Sequence, residues 1–304
     1  MGGEMGEDDN VAAEPGSELF HEIRNGMICL PMDREAVIFI HIPKTAGTTL
    51  NRIIEWQYNP LAIFTVDPYR IRATLERFKT FSEQRRRRYR VVRGHLRYGI
   101  HEFLPQGATY ITLLREPVAR LLSSYYFIFR RPLHPLHRKF KRERLGVEDL
   151  IQLTPHRQNL QCRYIAGIGD EGICDEGALD VAKENLTRSF QVVGLCERFH
   201  ESLFLMMKSF GWQVAFYENW KVGKNRPAIE PSVVDMIREH NRFDLELYDF
   251  AKNLFEENLR KNADVITDRS VTLNSRREPG SFKKFWHSTE GLGRFLLTKA
   301  ASAL

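Results

Sequence analysis

Five stretches of the chain are mostly apolar and bounded by turn residues: 36–42, 89–92, 109–114, 191–195 and 213–217. Rich in Val, Ile and aromatic residues, they predict strands; the first, apolar on both faces, predicts a strand inside a parallel sheet. Between them apolar residues recur three and four apart, at Leu50, Ile53 and Ile54 and again at Leu121, Leu122, Tyr125, Tyr126 and Phe129. Longer helical patterns cover 199–210 and 233–259, the second broken near Asn241. Strand followed by helix, repeated, predicts an α/β fold with a central, mostly parallel sheet flanked by helices.

Composition changes this picture at the two ends. The net charge of the 304 residues is +6, yet residues 1–18 hold Glu4, Glu7, Asp8, Asp9, Glu14 and Glu18 with no Lys or Arg. Residues 1–34 therefore predict an acidic, disordered tail, the opposite of a signal peptide, and leave a basic domain over 35–261. A basic body suits nucleic acid, anionic lipid, an anionic cofactor or an acidic substrate, and charge alone does not choose among them. Residues 262–304 mix Phe285, Trp286, Phe295 and Leu296 with Lys and Arg. They predict an extension packed on the domain, with peripheral membrane contact as the alternative.

Cys29, Cys162, Cys174 and Cys196 form no CxxC pair, so the expectation is a reducing compartment and no metal site. No apolar run reaches the roughly 18 residues of a membrane span, and a soluble, cytoplasmic protein is expected. The basic run SEQRRRRYR, 82–90, predicts a solvated loop or helix end; a docking patch for an acidic acceptor is the alternative.

The densest chemistry lies where the first strand gives way to a helix, in HIPKTAGTTL. Such turns sit at the carboxyl end of a strand, where α/β sheets bind ligands. They aim backbone N–H groups and the positive end of a helix at one spot. Lys44, Thr45, Ala46, Gly47, Thr48 and Thr49 then read as an anion cradle: a cation, hydroxyl donors, and a glycine that lets the backbone come close. The alternative is a plain turn with a capping threonine. The motif is not a Walker loop, because Lys44 precedes Gly47 rather than following it.

HIPKTAGTTL resembles the 5′-phosphosulfate loop of sulfotransferases that use 3′-phosphoadenosine 5′-phosphosulfate (PAPS), above all the heparan sulfate 2-O and 6-O branch and its bacterial relatives. That resemblance implies a P-loop-like three-layer fold and a second element, a strand ending in Arg followed by a helix carrying Ser, which hold the 3′-phosphate. YITLLREPVARLLSSYYF has this form, with Arg115 at the strand end and Ser123 eight residues on. Read without the resemblance, Arg115 is a surface partner of Glu116 and Ser123 a helix-face residue.

VVRGHLRYGIHEFLP places His95 where the resembling enzymes carry their catalytic histidine. The 2-O branch has His-Gly-His; here the triplet is Arg93-Gly94-His95, so one histidine carries over. His101 reads as substrate-side or structural, and His41 as packed and hydrogen-bonded. The likeness runs over about 36–261 and implies Lys224 as a further 3′-phosphate ligand, a solvated loop being the alternative.

The resulting expectation is sulfuryl transfer from PAPS to a hydroxyl of a carbohydrate; Arg93 and Arg97 fit an acidic glycan, with lipid-linked and small-molecule hydroxyls as the alternatives. His95 is the general base and Lys44 stabilises the leaving phosphate. The scheme needs no metal. The rivals are a P-loop-type kinase, for which no metal-holding Asp is evident, and a non-catalytic polyanion-binding module using Arg85 to Arg88.

Overall fold

The computed structural model describes residues 35–213 and 229–262. The acidic tail, the strand expected over 213–217, Lys224 and the C-terminal extension lie wholly or mostly outside them. Strands β1 (Ala36–Ile40), β2 (Ile63–Thr65), β3 (Val91–Gly94), β4 (Ala108–Leu114) and β5 (Phe190–Leu195) form one sheet in the order β2-β3-β1-β4-β5, every pair parallel.

Every residue of β1 and β3 is buried. Because neighbours along a strand point to opposite faces, both faces of the sheet are covered, which makes three layers. The covering helices are α1 (Gly47–Gln57), α2 (Ile71–Thr80), α3 (Glu83–Arg87), α4 (Pro117–Phe129), α5 (His137–Glu143), α6 (Val147–Leu153), α7 (Leu160–Ala166), α8 (Glu176–Arg188), α9 (Phe199–Phe210), α10 (Pro231–His240) and α11 (Arg242–Lys261). The expected break near Asn241 separates α10 from α11. None of the described helices is long and apolar enough to cross a membrane.

β1 ends at Ile40, two residues short of the apolar run over 36–42, and two further strands depart from the sequence pattern. β2 is three residues long and follows the short 3-10 turn Pro60–Ala62, too brief to stand out as an apolar run. β3 begins two residues later than expected, because Tyr89 leaves the strand to pack its ring against Phe64, Phe78 and Phe81.

Register fixes where function can sit. Ile40, the last residue of β1, lies opposite Gly94 on one side and Thr112 on the other. The segments leaving β1, β3 and β4 therefore share the carboxyl edge of the sheet. The strand order reverses between β1 and β4, and open α/β sheets bind ligands at such a reversal.

Candidate active site

The turn after β1 is held from within. Thr45 is fully buried and its Oγ1 donates to the Ile42 carbonyl at 2.9 Å. Its side chain is thus a strut, and only its backbone amide remains for a ligand. Lys44 and Ala46 adopt left-handed backbone conformations, φ 74° and 63°. For residues with a Cβ this costs about 1–2 kcal/mol each, and such strain gathers at functional sites. Ala46 is the N-cap of α1 and supplies no side-chain cap, so the first amides of α1 have no side-chain acceptor. Thr48 is exposed and Thr49 half-buried at this open end. The capping threonine considered from sequence is absent.

Gly47 has a different duty from the one expected. It sits inside α1 with ordinary helical backbone, and a Cβ there would overlap the His41 imidazole. It makes room for a ring rather than for an approaching ligand.

Arg115 follows β4 and reaches back across the reversal. Its Nη1 donates to the Lys44 carbonyl at 3.1 Å, and its Nε lies 3.8 Å from Glu197 Oε1. Gln161 clamps its backbone from both sides, accepting from the Arg115 amide and donating to its carbonyl, each at 2.8 Å. Glu116 is not its partner: that carboxylate caps α4, accepting from Val118 and Ala119. Lys44 Nζ stands 4.0 Å from the centroid of Phe127 on α4, a cation–π contact that extends the lysine over the sheet edge. Ser123, buried, lies on α4 about one turn before Phe127. The loop and the Arg115 segment are thus joined directly.

His95 leaves β3 at the same edge. Its Nδ1 lies 2.6 Å from the His41 carbonyl. A carbonyl only accepts, so Nδ1 carries the proton and Nε2 keeps its lone pair, the tautomer a general base requires. Burial lowers its pKa below the ordinary 6.5; the His41 bond opposes that, and the positive field of Arg157 adds to it. At neutral pH the imidazole is uncharged.

Arg93 requires a correction. It was expected beside the substrate, but it is 3% exposed and points inward. Its guanidinium donates to Thr65 Oγ1 at 3.0 Å, to the Asn51 carbonyl at 2.6 Å and to Glu55 Oε1 at 2.5 Å, tying β3 to β2 and α1. Every nitrogen is engaged. Arg97 pairs with Asp170. His101 is tied to Tyr110: the Tyr110 OH accepts from the Gly99 and His101 amides and lies 2.8 Å from His101 Nδ1.

Sequence reasoning missed the turn that precedes α7. Arg157 ends the 3-10 turn Pro155–Arg157 and is half-buried. Among the described residues no carboxylate or carbonyl accepts from its guanidinium, and its charge depresses the pKa of His95, His134 and His156. The turn is anchored from below. Buried Arg120 donates to the Arg157 carbonyl at 3.4 Å and faces buried Asp244 at 3.7 Å; Asp244 accepts from the Gln161 and Cys162 amides. One network therefore sets both Arg157 and the Gln161 clamp on Arg115.

The model of the galactose-3-O-sulfotransferase family matches residues 23–278. The chain is 24% identical over 274 residues to heparan sulfate 2-O-sulfotransferase hst-2 of Caenorhabditis elegans, covering 78% of this chain and 83% of that protein. It is 29% identical over 174 residues to heparin sulfate O-sulfotransferase of Drosophila melanogaster, covering 50% and 49%. To galactose-3-O-sulfotransferase 2 of Homo sapiens it is 23% identical over 176 residues, covering 53% and 44%. The chain thus spans about half the length of the latter two. These matches define a class, the carbohydrate sulfotransferases, and with it an enzyme. The chain belongs to the galactose-3-O-sulfotransferase family.

Proposed function

We propose that this chain transfers a sulfuryl group from PAPS to a hydroxyl of a carbohydrate. The observation that carries the reading is the pairing, on one sheet edge, of an open helix N-terminus bearing Lys44 with a neutral imidazole whose Nε2 is the unprotonated nitrogen. The residues present fit the donor. The uncapped amides of α1, Lys44 and the hydroxyls of Thr48 and Thr49 suit the 5′-phosphosulfate, and Arg115 with Ser123 suits the 3′-phosphate. Lys224, outside the described residues, is a further candidate for that phosphate.

PAPS supplies the sulfuryl group and leaves as adenosine 3′,5′-bisphosphate. His95 Nε2 takes the acceptor's hydroxyl proton as the acceptor oxygen bonds to sulfur. Lys44 and the loop amides bear the negative charge that collects on the departing phosphate. Arg115, tethered to the Lys44 carbonyl, keeps the two phosphate-binding elements in step. Half-buried Arg157, whose charge reaches the base, favours an acceptor with an acidic group, since a cation with no acceptor among the described residues gains most from an anion.

The test is calorimetry with adenosine 3′,5′-bisphosphate, then transfer from labelled PAPS to O-desulfated heparan sulfate and to galactose-terminated oligosaccharides. Binding, transfer to one of these glycans, and a loss of ~10²-fold or more in His95→Ala are expected. No nucleotide binding, or full turnover by His95→Ala, would overturn the reading.

A further inference from the structure

We propose that His41 is a positioning residue for His95, a second imidazole that fixes the orientation of the base and screens its buried face from water. The proposal rests on the reading of His95 as the base.

A single hydrogen bond does not orient a ring. The Nδ1 bond to the His41 carbonyl leaves the His95 imidazole free to swing about that contact, so a second restraint is needed to aim Nε2. The His41 side chain supplies it: the two ring centroids are 4.4 Å apart with planes tilted by 37°. The same residue thus grips His95 twice, by its carbonyl and by its ring.

His41 is itself held on several sides. Asn51 Nδ2 donates to its Nδ1 at 3.2 Å, which places the His41 proton on Nε2. The Phe39 ring lies parallel at 5.6 Å, and the opposite edge of the imidazole fills the space that Gly47 leaves. Asn51 is steadied in turn through its carbonyl, which accepts from buried Arg93. Arg93, Asn51 and Gly47 therefore all act on His95 through the His41 ring.

The arrangement has an electrostatic side. Among the described residues, His95 is acted on by His41, just past the end of β1, through its carbonyl and ring, and by the charge of Arg157, on the turn before α7. Two imidazolium rings at this spacing would repel, so the arrangement disfavours a proton charge on both rings at once. Loss of the His41 ring would admit water to His95 and let its pKa rise toward 6.5.

The experiment follows the His95 imidazole by NMR during a pH titration of the full chain with adenosine 3′,5′-bisphosphate bound, in wild type, His41→Ala and His41→Gln. Both variants should bind the nucleotide within about threefold of wild type and show the His95 midpoint moved to higher pH. Turnover should fall at least ~10-fold, with KM for PAPS nearly unchanged. His41→Gln carries the test should the alanine variant fail to fold. A folded variant with the wild-type midpoint overturns the proposal, whether or not turnover falls, because a merely structural role leaves the midpoint in place. His95→Ala separates the two readings: full turnover there removes the base itself, whereas an inactive His95→Ala beside unshifted His41 variants removes only the role of His41.

Discussion

Two arginines near His95 are taken out of water in opposite ways. Arg93 is enclosed, and its three nitrogens meet Thr65, Asn51 and Glu55. Arg157 is half-buried and meets no acceptor among the described residues. The first is part of the frame that holds α1 and β2 to β3. The second is a charge with work left to do. In sequence both are arginines close to a histidine or a turn; only the fate of their donors tells them apart.

The sharpest way to break this contrast is Arg93→Met. It strands Glu55, 12% exposed, without its cation, and removing one member of a buried pair costs about 3–5 kcal/mol. Urea denaturation should record that loss, and adding Glu55→Met should recover a large part of it. A loss under about 1 kcal/mol would mean that Arg93 is not the structural member of the two.

Gly47→Ala attacks the same wall from the other side. The new methyl overlaps the His41 ring, and overpacking of this kind costs about 1–3 kcal/mol. If Gly47 instead served the ligand directly, nucleotide affinity would collapse while the melting temperature held. The expected result is the reverse: a lower melting temperature with turnover falling more than nucleotide binding.

Arg157→Met should behave as the opposite of Arg93→Met. With no bond to lose, stability should stay within about 0.5 kcal/mol, as for substitutions outside a packed network. The effect belongs in kcat/KM for an acidic acceptor, a loss of about 10-fold, the scale of one hydrogen bond to a charged group. Because Arg157 helps lower the His95 pKa, its removal should also move the acidic limb of the pH profile to higher pH. An unchanged limb together with unchanged kcat/KM would return Arg157 to the surface.

These contrasts show what local pattern carries and what it does not. The apolar run over 36–42, the turn with Lys44, and Arg115 eight residues before Ser123 are all local, and the α/β architecture follows from strand–helix alternation. Arg93 was misjudged because an arginine inside an apolar run reads as solvent-facing, while its partners Glu55 and Thr65 lie far back in the chain. Arg157 gave no signal at all. Its turn is set by Arg120 and Asp244, and Asp244 is more than eighty residues from the Gln161 amide it holds. β2 was lost to brevity. Gly47 reads in sequence as a place for the backbone to approach a ligand, whereas its missing Cβ faces the His41 ring; that, like the inward turn of the Thr45 hydroxyl, is decided by packing.

The smallest effect is expected where the sequence was most conspicuous, at 85–88. Arg86 donates inward to the carbonyls of Lys79 and Phe81, and the Arg85 guanidinium lies 3.6 Å from the centroid of the Phe81 ring. That leaves Arg87 and Arg88 exposed at the end of a one-turn helix. Replacing both by Gln should change stability by no more than about 0.5 kcal/mol and acceptor kcat/KM by less than about twofold near 0.15 M salt. Exposed charges are screened and half-buried ones are not, so salt separates the two cases. A loss in the Arg87/Arg88 variant that deepens as salt is lowered would make this run a polyanion-docking patch, whereas the Arg157 effect should persist at high salt.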